Sequence, residues 1–200
     1  MRMSGVFVVF EGVDGVGKST VCAAVAERLR ARGLGVSVTA EPTHDGIGAF
    51  IRSGGAGHVS QRTEALLFVA DRNDHTERIV REVDSGRVVL CDRYFASTVA
   101  YQSAKLDGDA TDRDWLISIN SDFTGRPDAT ILLDMDPRDS LGRVDSRGEE
   151  VSKFENLGFL EQVRRNYLDL APTFGFHVVD ASKGREDVLA DVMAIIDRLV

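Results

Sequence analysis

Two hundred residues, 43% hydrophobic and 28% charged, suit one soluble globular domain with a continuous core. A formal net charge of −8 argues against duplex nucleic acid as the main partner, because no basic tract is available to release counterions. No apolar run approaches the roughly 18 residues that cross a bilayer, and the N-terminus lacks a signal-peptide pattern. A cytoplasmic, reducing setting without membrane attachment is therefore expected, with Cys22 and Cys91 as buried free thiols.

The first predicted strand is Val6–Phe10, and Gly12-Val13-Asp14-Gly15-Val16-Gly17-Lys18-Ser19 follows it directly. This run fits the phosphate-binding pattern G-x-x-x-x-G-K-[ST] in the right context, after a β-branched strand and before a helical pattern. Glycines let the backbone curl so that successive N–H groups face phosphate oxygens, and the helix adds its positive end. Lys18 is placed to reach the β- and γ-phosphates and the Ser19 hydroxyl to ligate Mg²⁺, with Thr20 beside it. The chain thus carries a nucleoside triphosphate site. Val21, Val25 and Leu29 share a face of the helix, which is expected to stop near Gly33.

Further along, Val36–Ala40 reads as a strand and leads into Glu41-Pro42-Thr43, then Gly46, Gly48 and Arg52. Leu66, Val69, Thr76, Val80 and Val83 mark a long helix closed by Gly86. On it Phe68 and Arg72 lie four apart and share a face. A ring and a fork of donors there suit a nucleobase, and Phe68 suits an ordinary core equally well. Val88–Cys91 is the third strand, ending in Asp92-Arg93-Tyr94, with Ser97-Thr98-Val99-Ala100-Tyr101-Gln102 beyond. Four apolar residues followed by a carboxylate have the form of a Walker-B strand, so Asp92 is a candidate for Mg²⁺, or alternatively a helix cap or ion-pair partner. Arg93 suits a phosphate gripped by two parallel hydrogen bonds; an internal pair with Asp92 is the competing reading.

Ala129–Leu133 and Phe176–Val179 complete the strands, all five short apolar runs without alternation, as in a parallel sheet buried on both faces. Asp136-Pro137 opens a helix with a capping carboxylate. The polar stretch Arg143–Lys153, with Arg143, Arg147 and Gly148, reads as a mobile lid or as a solvated loop. Ser182 is a candidate cap for a last helix with Val188, Leu189, Val192, Ile195, Ile196 and Leu199 on its apolar stripe. Alternating strands and helices imply a single three-layer α/β domain over residues 1–200, of the P-loop NTPase kind, with a five-stranded parallel sheet. Ligands in such sheets gather at the carboxyl ends of the strands.

Taken in order, Phe10-Glu11-Gly12-Val13-Asp14-Gly15-Val16-Gly17-Lys18-Ser19-Thr20, Glu41-Pro42-Thr43, Leu67-Phe68-Val69-Ala70-Asp71-Arg72, Asp92-Arg93-Tyr94 and Ala100-Tyr101-Gln102 resemble thymidylate kinases over nearly the whole chain. The resemblance implies transfer of a phosphoryl group from ATP to thymidine monophosphate with Mg²⁺, by a homodimer packed through helices. It places Asp14 toward the acceptor's 3′-hydroxyl and the metal, Arg52 and Arg93 on the acceptor's phosphate, and Phe68 against thymine. It further assigns Arg72 to the base, Thr98 and Gln102 to the base and sugar edge, and Tyr101 to the deoxyribose, where it opposes a ribose 2′-hydroxyl. Glu41 and Pro42 shape the acceptor pocket.

The family's catalytic arginine stands either in the phosphate loop or in the lid. This chain has Gly15 at the loop position, so the lid type is implied, with Arg147 on the transferring group and Arg143 nearer adenine. Two departures stand out: Ala40 precedes the Glu-Pro pair where many relatives have Arg, and the lid is short and followed by Ser152-Lys153-Phe154-Glu155. They leave room for a modified pyrimidine deoxynucleotide as acceptor. A nucleotide-dependent switch or assembly ATPase is the reading from another class.

Overall fold

The structure, a computed structural model, describes residues 5–55, 59–104, 112–121, 125–145 and 153–200. Strand β1 (Val6–Glu11) runs into the phosphate loop and helix α1 (Lys18–Ala31), which ends before Gly33 at φ 84°. Strand β2 (Val36–Ala40) is followed by the short α2 (Gly46–Arg52) and the long α3 (Gln61–Asp84), whose first turn is capped by the Ser60 hydroxyl accepting from Thr63 N. Next come β3 (Val88–Asp92), α4 (Phe95–Gln102) and α5 (Arg113–Ser121), then β4 (Ala129–Asp134) and α6 (Pro137–Asp145). Asp136 Oδ1 accepts from Arg138 N at 2.9 Å, the capping expected of Asp136-Pro137. Helix α7 (Lys153–Phe174), β5 (His177–Asp180) and α8 (Arg185–Ile196) finish the chain.

All strand pairings are parallel, in the order β2-β3-β1-β4-β5. Parallel neighbours need crossovers, and these put helices on both faces. Val8 and Phe10 point into one layer with Val25 and Leu29 of α1 and Val192 and Ile196 of α8. Phe7 and Val9 point the other way, onto Ile79 of α3 and Tyr94, with the Phe7 and Tyr94 rings edge to face at 5.3 Å. Phe10 and Leu90 are fully buried, so truncating either to Ala costs about 2–5 kcal/mol. The three-layer α/β fold expected from the sequence is thus the one formed. Register pairs both Phe10 and Ala40 with Asp92, so β1, β2 and β3 finish level. The chain leaves β1 toward β2 on one side and β3 toward β4 on the other, which opens a crevice at those ends.

Three sequence expectations need correction. The two outer strands are not buried on both faces: Val38 of β2 and Val178 of β5 are 47% and 51% exposed, because the sheet order places both at edges. The apolar stripe of α3 holds only in part: Val69 is buried and Val83 packs on the core, whereas Leu66 and Val80 face outward and the buried side also carries Ala65, Asp71, Arg72, His75 and Ile79. Hydrophobic periodicity is blurred there because the inner face of α3 mixes a polar network of Asp71, Arg72 and His75 with apolar Ala65, Val69 and Ile79. Ser182 does not cap α8; it donates to Asp180 Oδ1, and Gly184 stands at the helix start. Cys22 and Cys91 are buried free thiols, and burial foremost pushes the Cys22 thiol up to about 12.

Candidate active site

The turn from β1 into α1 sets three glycines at positive φ, Gly12, Gly15 and Gly17. At Gly12, φ is 140° and a Cβ would lie 2.4 Å from the Leu133 carbonyl oxygen. Gly17, at φ 101°, opens α1. Val13 and Val16 bury their side chains in the core, so they offer a ligand only backbone groups. Lys18 Nζ donates to the carbonyls of Gly12 (3.0 Å) and Val13 (2.9 Å). Burial foremost, and then the nearby Arg93 guanidinium, lowers its pKa to about 8. Asp14, Gly15, Gly17, Lys18, Ser19 and Thr20 line one wall of a cavity of about 890 Å³, with Asp92 and Arg93 across from them.

Ser19 Oγ donates to Asp92 Oδ2, so the hydroxyl and the strand-end carboxylate meet. Asp92 Oδ1 is buried and has no hydrogen-bond partner among the described residues. An orphaned carboxylate oxygen is costly unless a positive charge faces it. No cluster of three or more His, Cys, Asp or Glu suited to a metal exists among the described residues. One carboxylate and one hydroxyl, completed by phosphate oxygens and water, fit Mg²⁺, which rarely takes an all-protein cage.

Arg93 directly follows β3 with φ 72°, the left-handed region that side chains seldom adopt, and its N–H donates to Phe10 O at 2.8 Å. The backbone strain aims the guanidinium into the crevice. It pairs with Asp14 rather than with Asp92, donates to Ser97 Oγ (3.1 Å) and Tyr101 Oη (3.4 Å), and lies 5.0 Å over the Tyr101 ring. Tyr101 Oη in turn donates to Asp14 Oδ2 at 2.8 Å. Burial works against the charge on Arg93, yet Tyr101, Tyr167 and Asp14 hold its pKa well above the ordinary value. Burial likewise opposes the Asp14 carboxylate, and Arg93 and Lys18 override it, so its pKa is lowered.

A second cavity, of about 370 Å³, is lined by Phe68, Arg72, Thr98, Tyr101 and Gln102. Asp14, Glu41, Pro42 and Arg93 line both cavities, so the two meet at those four side chains. Arg52 belongs to the larger one, its Nε donating to the carbonyls of Pro42 (2.7 Å) and Thr43 (3.1 Å). The Glu41-Pro42 peptide is cis. Arg143 lies in α6 with its side chain outside the described residues, and Arg147 and Gly148 lie outside them altogether.

Behind the smaller cavity, charges are buried among themselves. Arg72 is 1% exposed; its Nε donates to Glu41 Oε2 (2.8 Å), Nη2 to Thr98 Oγ1 (2.9 Å) and Nη1 to Asn120 Oδ1, and the guanidinium lies 5.5 Å over the Tyr94 ring. The other oxygen of Glu41 meets His75 Nδ1 at 2.9 Å, and His75 Nε2 meets Thr39 Oγ1 at 2.7 Å. Asp71 accepts from Thr43 N (2.7 Å) and Thr43 Oγ1 (2.6 Å), which fixes the loop carrying Glu41 and Pro42. Sequence reasoning did not single out Asp71, His75 or Asn120. Their one signal is polarity at helical spacing on a face that had to be internal, as Asp71, Arg72 and His75 show.

The family model described as thymidylate kinase matches residues 10–192. A probable thymidylate kinase of Pyrococcus horikoshii is 40% identical, with 97% of each chain covered. One of Pyrobaculum aerophilum is also 40% identical over 97% of each chain, and a thymidylate kinase of Ruegeria pomeroyi is 38% identical over 98% of this chain and 96% of its own. A phosphate loop facing a Walker-B carboxylate, a strained arginine between two joined cavities, and likeness along almost the full length lead to one conclusion. The chain belongs to the thymidylate kinase family.

Proposed function

We propose that this protein transfers the γ-phosphoryl group of ATP to dTMP, giving dTDP and ADP. The observation that carries the reading is the junction of the two cavities at Asp14 and Arg93. The triphosphate occupies the larger cavity and the acceptor's base and sugar the smaller, so donor and acceptor phosphates face each other at that junction. An oxygen of the dTMP phosphate attacks the γ-phosphorus, the bond to the ADP oxygen breaks, and ADP leaves. The acceptor phosphate is already ionised near neutral pH, so alignment and charge neutralisation do the work.

Lys18 holds the β- and γ-phosphates, while Arg93 and Arg52 hold the acceptor's phosphate. When bound, Mg²⁺ supplies positive charge against the phosphate oxygens, and Ser19 and Asp92 are the residues that would hold it. Phe68 stacks on thymine, Arg72, Thr98 and Gln102 face the base edge, and Tyr101 packs under the deoxyribose. With Gly15 in the loop, the lid supplies the remaining positive charge, Arg147 to the transferring group and Arg143 toward adenine.

A homodimer fits the outward face of α3, which exposes Leu66 and Val80. Antiparallel two-fold pairing about Asn73 sets Leu66 against Val80 of the partner subunit. A ligand other than nucleic acid agrees with the net charge of −8, and a cytoplasmic setting with the free thiols of Cys22 and Cys91. Among the described residues no helix is long and apolar enough to cross a membrane.

The test is ADP release with ATP and Mg²⁺, offering dTMP, dUMP, dCMP, dGMP and UMP separately. Fast turnover confined to dTMP, with weaker use of dUMP, is the expected result. Silence with all five, or equal use of UMP and dTMP, would contradict the assignment of the smaller cavity.

A further inference from the structure

Glu11, the last residue of β1, is fully buried and lines neither cavity, although it immediately precedes the phosphate loop. Its carboxylate accepts four hydrogen bonds, from Tyr94 N (2.9 Å), Ser97 N (3.2 Å), Ser97 Oγ (2.6 Å) and Tyr167 Oη (3.0 Å). Burial pushes its pKa up, and the bond from Ser97 and the charge of Arg93 are the foremost influences opposing that rise. A carboxyl group kept this far from water needs every one of those partners.

The two oxygens do different things. Oε1 takes the N–H groups of Tyr94, the N-cap residue of α4, and of Ser97 in its first turn, and so caps that helix from the end of the neighbouring strand. This fixes the chain directly after Arg93, whose left-handed φ must be held by its surroundings. Oε2 takes the Ser97 hydroxyl, and the same Ser97 Oγ accepts from Arg93 Nη1 at 3.1 Å. Tyr167, 1% exposed on α7, reaches both Glu11 and Ser97, the latter at 2.8 Å. Both the backbone and the side chain of Arg93 are therefore held through one buried carboxylate. Charge balance does not call for it there, because Asp14 already faces Arg93.

We propose that Glu11 is a positioning residue for Arg93, acting through Ser97 and the first turn of α4. Tyr167 completes the unit and ties the phosphate-gripping arginine to α7, the helix that follows the segment carrying Arg147 in the chain. The proposal rests on the reading of Arg93 as the grip on the acceptor's phosphate.

The experiment compares binding of dTMP with binding of thymidine, which keeps base and sugar but lacks the phosphate. Calorimetric titrations on wild type, Arg93→Ala, Glu11→Gln, Tyr167→Phe and the Glu11→Gln/Arg93→Ala double variant are paired with thermal melts. Gln keeps an acceptor for the two N–H groups and removes the charge. Expected for Glu11→Gln is about tenfold weaker dTMP binding with thymidine unchanged within about twofold, and for Tyr167→Phe a loss of about threefold with the same selectivity. In the Arg93→Ala background, Glu11→Gln should leave the dTMP-to-thymidine ratio where it is. An Arg93→Ala variant with an unaltered ratio would overturn the reading of Arg93 and the proposal with it. A ratio that falls in Arg93→Ala but stays at the wild-type value in Glu11→Gln and Tyr167→Phe would overturn the proposal alone. Tyr167→Phe, which removes one oxygen and keeps the ring, decides the matter if Glu11→Gln fails to fold.

Discussion

The end of the crevice proposed for the phosphates and the end proposed for the base use charge in opposite ways. At the phosphate end, Lys18, Asp92 and Arg93 line an open cavity, Asp92 keeps a carboxylate oxygen without a partner among the described residues, and Arg93 is held in a strained backbone. At the base end, Arg72, Glu41 and His75 satisfy one another in the interior, with Thr98, Asn120 and Thr39 completing the bonds. The first arrangement keeps charges available to a ligand at some cost to stability. The second makes a stiff wall whose members depend on each other. Substitutions should therefore cost turnover at one end and folding at the other.

The sharpest way to break that contrast is Lys18→Ala. Turnover should fall roughly a thousandfold or more while the melting temperature stays near the wild-type value, as steady-state rates and a thermal scan would show. A variant that unfolds instead would make the phosphate end a structural element. Next in size is Arg72→Ala, which leaves Glu41 buried beside only His75. Removing one partner of a buried pair destabilises by about 3–5 kcal/mol, to be read from denaturant unfolding. A loss below about 1 kcal/mol would mean that water or a rearrangement compensates, and the wall is soft.

The pH dependence sharpens the phosphate end. Lys18, lowered from 10.5 to about 8, is charged below that value, and bound phosphate favours the charged form. Affinity for ATP should be flat below pH 8 and decline above it by up to about tenfold per pH unit, measured by titration at pH 7, 8 and 9. Stability has the opposite sign. Between about 8 and 10.5 the unfolded chain binds the extra proton, so this residue's contribution to folding rises across that window. A flat affinity profile to pH 9 would show that Lys18 is not the group that meets the phosphates. The smallest effect on the crevice itself is expected from Leu66→Asp on the outward face of α3. It should turn the proposed homodimer into a monomer in light scattering and change the melting temperature of the separated chain by only a few degrees.

The same contrast explains what could be read in the sequence. The phosphate loop is a backbone device, so glycine positions and a following Lys-Ser locate it without knowledge of the rest of the fold. Asp92 and Arg93 follow from the strand rule, because a parallel sheet brings every strand end to one edge. The wall behind the base was not legible in the same way. Arg72 meets Asn120 across 48 positions, and Glu11 meets Tyr167 across 156, and no local pattern marks such pairs. The apolar spacing that marks α3 includes Leu66 and Val80, which the structure puts on its outer face. The inner face joins Val69 and Ile79 to Asp71, Arg72 and His75, whose burial depends on partners from β2 and the loop after it, α4 and α5. The edge exposure of Val38 and Val178 required the strand order, which composition does not supply.

Single-turnover transfer from labelled ATP to dTMP by folded Arg93→Ala tests the central claim most directly, because Arg93 stands where the two cavities meet. The expected result is a rate roughly a thousandfold or more below wild type, with ATP still bound and the melting curve unchanged. A rate within about tenfold of wild type would contradict the placing of phosphoryl transfer at that junction.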